Sequence, residues 1–521
     1  MSTGTSDSPF PNREGGWGVR FLLLLACLLV RLAWLDADPP PWLSWSTGIY
    51  TDEGFYTLDA RHLALFGTLA PGDFHDRLLS PLLSVSQQGV FALFGAGLMQ
   101  ARLLSVLFGL LTVGVFWLGL CCVWGARAAD FGVLFLGLAP PFALYNRLAL
   151  QETPTVFWLV LAFTLWAYGA RRPALYAVAG LCIAVGIVFK GLALLAVPAL
   201  LTGEPTPRQV AAPPETGGGG VLEAGKVGVI SGAPVPSASA SLSSRFGRTP
   251  SVAGRWVLSG LLLGLALYAA LWYLPHHAEL ARMASFYRVH QMQPHSLGSL
   301  GLNVRRAFLG GERGVFPYLL ALLPVPCALV GWGLWKRGEW DGARRFFALW
   351  LVGGLLFCLL SSYAPSRYYV LFLPALAGLA ARGLMQTRRP VQAGAVVIFL
   401  LTSAAWYGAA WAGRSYARRD AGRQLARLLP PGSIIIGEFA PALCLDTPFA
   451  AAPVQPGLSN DDRPVERLKA THVVVTRAVV WQDWWQTRYP NVIQPSHRVA
   501  TFDLGGARHY RVDVYAVKEA R

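Results

Sequence analysis

The sequence predicts an all-α polytopic membrane protein, with about eleven transmembrane helices and surface helices in its first outer loop, ending in a small C-terminal α/β domain. Three observations predict it. The 521 residues are 54% hydrophobic and only 14% charged, where soluble domains carry nearer a quarter charged. The apolar residues collect in runs of span length. The arginines fall between those runs, on alternate connections.

The first run, Trp17 to Leu35, contains "FLLLLACLLV". No small-residue cleavage site follows it, so it reads as a retained span. Counting it at about 17–36, eleven runs qualify, the others lying near 101–122, 128–146, 153–170, 174–189, 191–203, 255–274, 315–335, 346–362, 366–384 and 391–413. The run at 80–97 is interrupted by Gln87, Gln88 and serines, and is expected to lie along the membrane surface. With the N-terminus inside, the cytoplasmic connections hold Arg127, "ARRP", the 204–254 loop, "WKRGEWDGARR" and "TRRP". The opposite connections hold "YTDEGFY", "YNRLALQETP", "FKG", the 275–314 loop and "SSYAPSRYY". The net charge of +16 is thereby an orientation signal rather than a nucleic-acid surface.

Residues 204–254 are rich in Pro, Gly, Ser and Ala, and are expected to form a disordered cytoplasmic loop within a membrane domain of residues 1–413. From 414 to 521 the chain is more polar. A helix at 416–429 and strands at 433–437, 472–476, 498–503 and 510–517 predict an α/β domain outside the membrane. Six cysteines lie in apolar runs and Cys444 stands alone in the tail, with no disulfide or metal spacing.

Charged residues at span ends are costly to keep, so each is a candidate. Asp52 either caps the helix that follows, with Glu53 in its first turn, or serves chemistry. In "NRLALQETP", Thr153 and Pro154 suit an N-cap and first helical position; Glu152 then sits near a positive helix end, with Arg147 as its surface partner. Lys190 follows a span and either meets the last carbonyls or faces a ligand. Tyr363, Tyr368 and Tyr369 are interfacial aromatics or site residues, and Arg367 an anchor or an anion partner. His276, His277, His290 and His295 share the 275–314 loop; zinc, acceptor contact and plain interfacial placement all remain open for them. The conjunction of acids and cations on one face favours a base that takes a hydroxyl proton while cations hold a phosphate leaving group. No P-loop is present.

The order "DE" after the first span, "YNRLALQETPTVFW", "VFKGLALLAVPALL" and "SSYAPSRYYVLFLPALAGLAA" resembles the GT-C glycosyltransferases. The branch is that of protein O-mannosyltransferases, lipid A aminoarabinose transferase and rhizobial galacturonosyltransferases. The resemblance implies that Asp52 acts as or beside the catalytic base with Glu53 as its neighbour. It further implies that Glu152 fills the acidic position before the next span, and that Lys190 and Arg367 lie near the donor phosphate. It implies a polyprenyl-phosphate sugar donor and inversion at the anomeric centre, without metal or other cofactor. Where aminoarabinose enzymes carry Lys-Pro, "LLSPLL" has the proline alone, which leaves the sugar open.

The expected function is transfer of a sugar from such a donor to a protein, lipid or glycan acceptor on the outer face of the cytoplasmic membrane. Arg147, Tyr363 and His290 join Glu152, Lys190 and Arg367 as expected substrate-binding residues. The partners are the donor, the acceptor and membrane lipids. The alternative is a transporter or flippase of lipid-linked sugars, for which paired broken-helix repeats would be expected.

Overall fold

Along Leu98–Trp124, Leu103, Leu107, Leu111 and Leu118 face outward while Val106, Val113, Phe116 and Leu120 are buried. A helix apolar all round is what hydrocarbon surroundings require. The computed structural model describes residues 16–202, 252–290, 296–336, 340–477, 479–505 and 510–517. Of the loop expected at 204–254, residues 204–251 therefore lie outside the described residues, and 252–254 open the helix Val252–Tyr268.

The eleven apolar runs become helices, but not eleven straight spans. Among the described residues five helices are long and apolar enough to cross a membrane: Leu98–Trp124, Val252–Tyr273, Gly342–Leu360, Ser366–Met385 and the one that begins at Arg389. The run expected at 315–335 instead bends by 107° between Val315–Leu322 and Pro324–Trp335, because a proline there removes a helical hydrogen bond and clashes with the preceding turn. The run at 128–146 divides into Ala126–Gly137 and Pro140–Tyr145. The run at 191–203 opens as the 3-10 turn Gly191–Ala196. Such interruptions are tolerated at membrane depth where protein covers the backbone. Helix Pro81–Phe94, with 14 residues, is too short to span and shows Leu82, Val85, Leu93 and Phe94 outward, as a surface helix does.

Connections segregate to the two ends of Leu98–Trp124. At its C-terminal end Trp124 Nε1 donates to Asp341 at 3.1 Å, Arg382 pairs with the same carboxylate at 3.6 Å, and Arg20 meets Asp130 at 3.0 Å. At its N-terminal end gather the first loop and the tail. The loop forms helices Gly48–Tyr56 and Leu58–Phe66. The tail forms helix Ala417–Leu428 and strands β1 (Ile434–Ile436), β2 (Ala450–Ala452), β3 (His472–Thr476), β4 (Arg498–Asp503) and β5 (Arg511–Ala516). These five make one sheet in the order β2-β1-β3-β5-β4, with β2-β1-β3 parallel and β3-β5-β4 antiparallel. The four expected strands are present. The additional strand, β2, is three alanines, which carry no β-branched signal.

The tail docks through backbone contacts. Arg61 Nη2 donates to the carbonyls of Thr447 at 2.5 Å and Phe449 at 2.9 Å, His62 Nε2 accepts from the Ala451 amide at 3.1 Å, and Asp446 accepts from the Leu98 amide at 2.7 Å. Gly54 lies so near helix Ala440–Leu443 that a Cβ would stand 2.3 Å from the Ala442 nitrogen, so even alanine would force the two apart.

Glu53 joins these parts. Its side chain is 0% exposed and accepts from Arg102 Nε and Nη2, both at 2.7 Å, from Arg418 Nη2 at 2.6 Å and from the Ala149 amide at 2.9 Å. Arg102 also donates to the carbonyls of Leu35 and Ala37. Burial works against ionisation, but the two guanidinium groups overcome it and hold the carboxyl down at about 2. Removing one partner of such a buried pair leaves an uncompensated charge, at about 3–5 kcal/mol. Glu53→Ala is therefore expected to lower the thermal midpoint of the purified protein markedly and to expose the tail to protease, whereas Glu279→Ala, on an exposed carboxylate, leaves both unchanged.

Candidate active site

Asp52 and Glu53 are neighbours on one helix, and successive helical side chains point about 100° apart. Glu53 turns inward to Arg102 and Arg418. Asp52 faces the opposite connections of the bundle. The helix starts at Gly48, four positions before Asp52, so Asp52 sits mid-helix and the capping alternative does not hold. Likewise the next acidic helix begins at Glu152 itself, ahead of the expected cap at Thr153. Glu152 carries its charge in the first turn, where the helix dipole favours it.

The structure brings Asp52, Arg367, Glu152 and Lys190 into one chain of charges. Arg367 Nη2 lies 2.9 Å from Asp52 Oδ2, and Arg367 Nε 3.2 Å from Glu152 Oε1. Lys190 Nζ donates to that same Glu152 oxygen at 2.9 Å. Lys190 ends helix Ala174–Phe189 in an extended conformation, which turns its side chain back toward Glu152. Arg367 rides on the 3-10 turn Ser366–Phe372 after Pro365. The ring of Tyr368 underlies both cations, 4.5 Å from Lys190 Nζ and 5.4 Å from the Arg367 guanidinium. Gly48 makes room: a Cβ there would stand 2.2 Å from Arg367 Nη1.

The arrangement is poorly saturated. Although Arg367 touches both carboxylates at ion-pair distance, its Nε and Nη1 lack any aligned hydrogen-bond partner, as do Asp52 Oδ2 and Glu152 Oε2. Buried guanidinium donors without aligned acceptors suit an incoming oxyanion. Asp52 is 16% exposed, so it can be reached. Burial pushes its carboxyl above the ordinary range, against the pull of Arg367, and a raised carboxyl is a better proton acceptor.

The other expected residues fall elsewhere. Arg147 does not partner Glu152; it donates to the Trp34 carbonyl, because the turn after Tyr145 aims it at the end of the first span. Glu53 does not touch the charge chain. Tyr363 is peripheral, its hydroxyl 3.0 Å from Ser46 Oγ. His290 ends helix His277–His290, and its side chain lies outside the described residues, as does His295. His276 pairs with Glu279 at 3.4 Å and His277 with the Leu274 carbonyl at 2.9 Å. Among the described residues no three potential metal ligands come together.

Sequence reasoning missed Arg102, Arg418 and Glu438. A charged residue just inside an apolar run was a signal for Arg102; none marked Glu438. That residue follows Gly437, whose φ of 137° ends β1 in a conformation glycine alone adopts readily. Burial, reinforced by the charge of Asp52, raises the Glu438 carboxyl to about 7. A folded-state value above the ordinary one means that the folded protein binds the extra proton, so the associated stability is present in mild acid and lost as pH rises through about 7. The thermal midpoint of the wild type is expected to fall between pH 5 and 7.5 more steeply than that of Glu438→Gln. Parallel curves would remove Glu438 from the Asp52 environment.

Residues 79–203 match the family model described as dolichyl-phosphate-mannose-protein mannosyltransferase. No curated protein matches the chain. Among solved structures it is similar to ArnT from Cupriavidus metallidurans, bound to undecaprenyl phosphate (15% identity, TM-score 0.56) and in the apo state (16%, 0.59). Each of these alignments covers 96% of this chain and 98% of the other. It is also similar to the oligosaccharyltransferase AglB from Archaeoglobus fulgidus, in complex with an inhibitory peptide and a dolichol-phosphate. That match has 13% identity and a TM-score of 0.51, covering 88% of this chain and 69% of that one. The fold is that of the GT-C glycosyltransferases.

Proposed function

We propose that this GT-C-fold chain is a multi-pass membrane glycosyltransferase that moves a sugar from a polyprenyl-phosphate donor to an acceptor hydroxyl or amine at the face carrying Asp52. The observation that carries the reading is the buried Arg367, with Lys190 beside it, holding donors without aligned acceptors next to a proton-accepting carboxylate. In this reading Arg367 and Lys190 bind the donor phosphate. Asp52 takes the acceptor proton as the new bond to the anomeric carbon forms, and the phosphate leaves with the electron pair of the broken C–O bond. In this reading the acceptor attacks the anomeric carbon from the side away from the phosphate, and the displacement inverts the anomeric centre. The comparisons support the class: undecaprenyl phosphate and dolichol-phosphate occur with two proteins of the same fold. A transporter would require the charge chain to open and close across the bundle. Here it is anchored at one end, next to the docked tail.

Asp52→Asn preserves shape and helix but cannot take a proton. A lost general base typically slows a reaction by about 100- to 10,000-fold, and that loss is expected in sugar transfer from polyprenyl phosphate at matched expression. Turnover near wild type would end the assignment. Lys190→Ala and Arg367→Ala are expected to weaken donor use roughly tenfold or more, since each hydrogen bond to a charged group contributes about 1.5–3 kcal/mol, with smaller effects on acceptor use.

The cytoplasmic membrane is the proposed location, with the arginine-bearing end inside. Reporter tags at residue 230 are expected in the cytoplasm and tags at 300 or 521 outside. A tail found inside would put the site on the other face.

A further inference from the structure

A cavity of about 170 Å³ lies apart from the charge chain, lined by Trp45, Asn303, Arg306, Arg313, Ser361 and Tyr369 among others. It has room for far more than one water molecule, and among the described residues no acidic side chain lines it. Its polar groups are mostly donors. Arg306 is half-buried and spends one N–H on the Ser362 carbonyl at 3.1 Å. The Arg313 guanidinium lies over the Trp45 ring at 5.3 Å and lines the cavity. Two guanidinium groups, with no described acidic side chain in the lining, describe a receptor for oxygen acceptors carrying negative charge.

The cavity is one aromatic layer from the candidate active site. Trp45 meets Tyr363 edge-on at 5.6 Å; Tyr363 in turn holds Ser46, whose hydroxyl accepts from the Gly48 amide at 3.2 Å at the start of the Asp52 helix. Arg367 and Lys190 are not among the residues that line the cavity. We propose that this cavity is a second anion subsite, separate from the Arg367 and Lys190 pair, and that it holds a phosphate or carboxylate carried by the acceptor. The assignment to the acceptor rests on the transfer reading above; the subsite itself rests on the cavity.

The test uses the full-length protein in phosphatidylcholine nanodiscs with two probes, inorganic phosphate and undecaprenyl phosphate, titrated separately. The double variant Arg306→Gln/Arg313→Gln is expected to bind inorganic phosphate about tenfold more weakly or worse while holding undecaprenyl phosphate within about twofold. Lys190→Ala is expected to lose undecaprenyl phosphate and keep the phosphate response of the cavity. A parallel fall of both probes in the double variant would hand the cavity to the donor and overturn the proposal. Phosphate binding unmoved by the double variant would overturn it as well. A wild type that binds inorganic phosphate through Arg306 and Arg313 but no undecaprenyl phosphate would sink the transfer reading, and with it the acceptor assignment, while the anion subsite stands.

Discussion

Four parts of the chain converge on the carboxylate of Glu53: the first-loop helix, the Leu98–Trp124 span through Arg102, the 146–151 turn through the Ala149 amide, and the tail through Arg418. None of them is fixed by apolar packing alone at that point, because Arg102 and Arg418 bring buried guanidinium groups and Ala149 a buried amide that need the carboxylate as acceptor. Arg102 illustrates the dependence. It ties Glu53 to the carbonyls of Leu35 and Ala37, so one side chain closes both the end of the first span and the base of the Asp52 helix. With that helix fixed, Asp52 is aimed by geometry: its neighbour faces the hub, and it faces Arg367.

The adjacent acids of "YTDEGFY" thus do different work. One is held ionised, as a structural anion among cations. The other is buried beside a single guanidinium and raised toward a range useful for proton transfer. Gly54 completes the motif by letting the tail approach the same helix to backbone contact. Three consecutive residues therefore supply a chemical group, a mechanical anchor and a docking surface.

Hydropathy and arginine placement made the helical fold and its two ends legible, since both follow from the cost of polar and charged groups in hydrocarbon. Span-end charges made Asp52, Glu152, Lys190 and Arg367 legible for the same reason. What was illegible was partnership. Nothing in "NRLALQETP" says that Arg147 turns to Trp34 while Glu152 reaches Lys190, 38 positions on. Nor does a polar tail announce that Arg418 and Glu438 belong with residues near 50. The bend within the run at 315–335 was not legible either, because hydropathy is blind to the direction a proline imposes.

The Arg418 contact spans 365 positions of sequence. A chain inserting from its N-terminus places the Asp52 helix long before its last partner exists. At a synthesis rate of about 5–20 residues per second, the interval is roughly 20–70 s. During it, Glu53 has Arg102 alone among its two guanidinium partners, and Gly54 and Arg61 have nothing to dock. The fold therefore carries a built-in clock: full assembly of the Asp52 helix is deferred until most of the protein has been made, and a nascent chain stalled before the tail holds its lipid-facing helices without a finished centre.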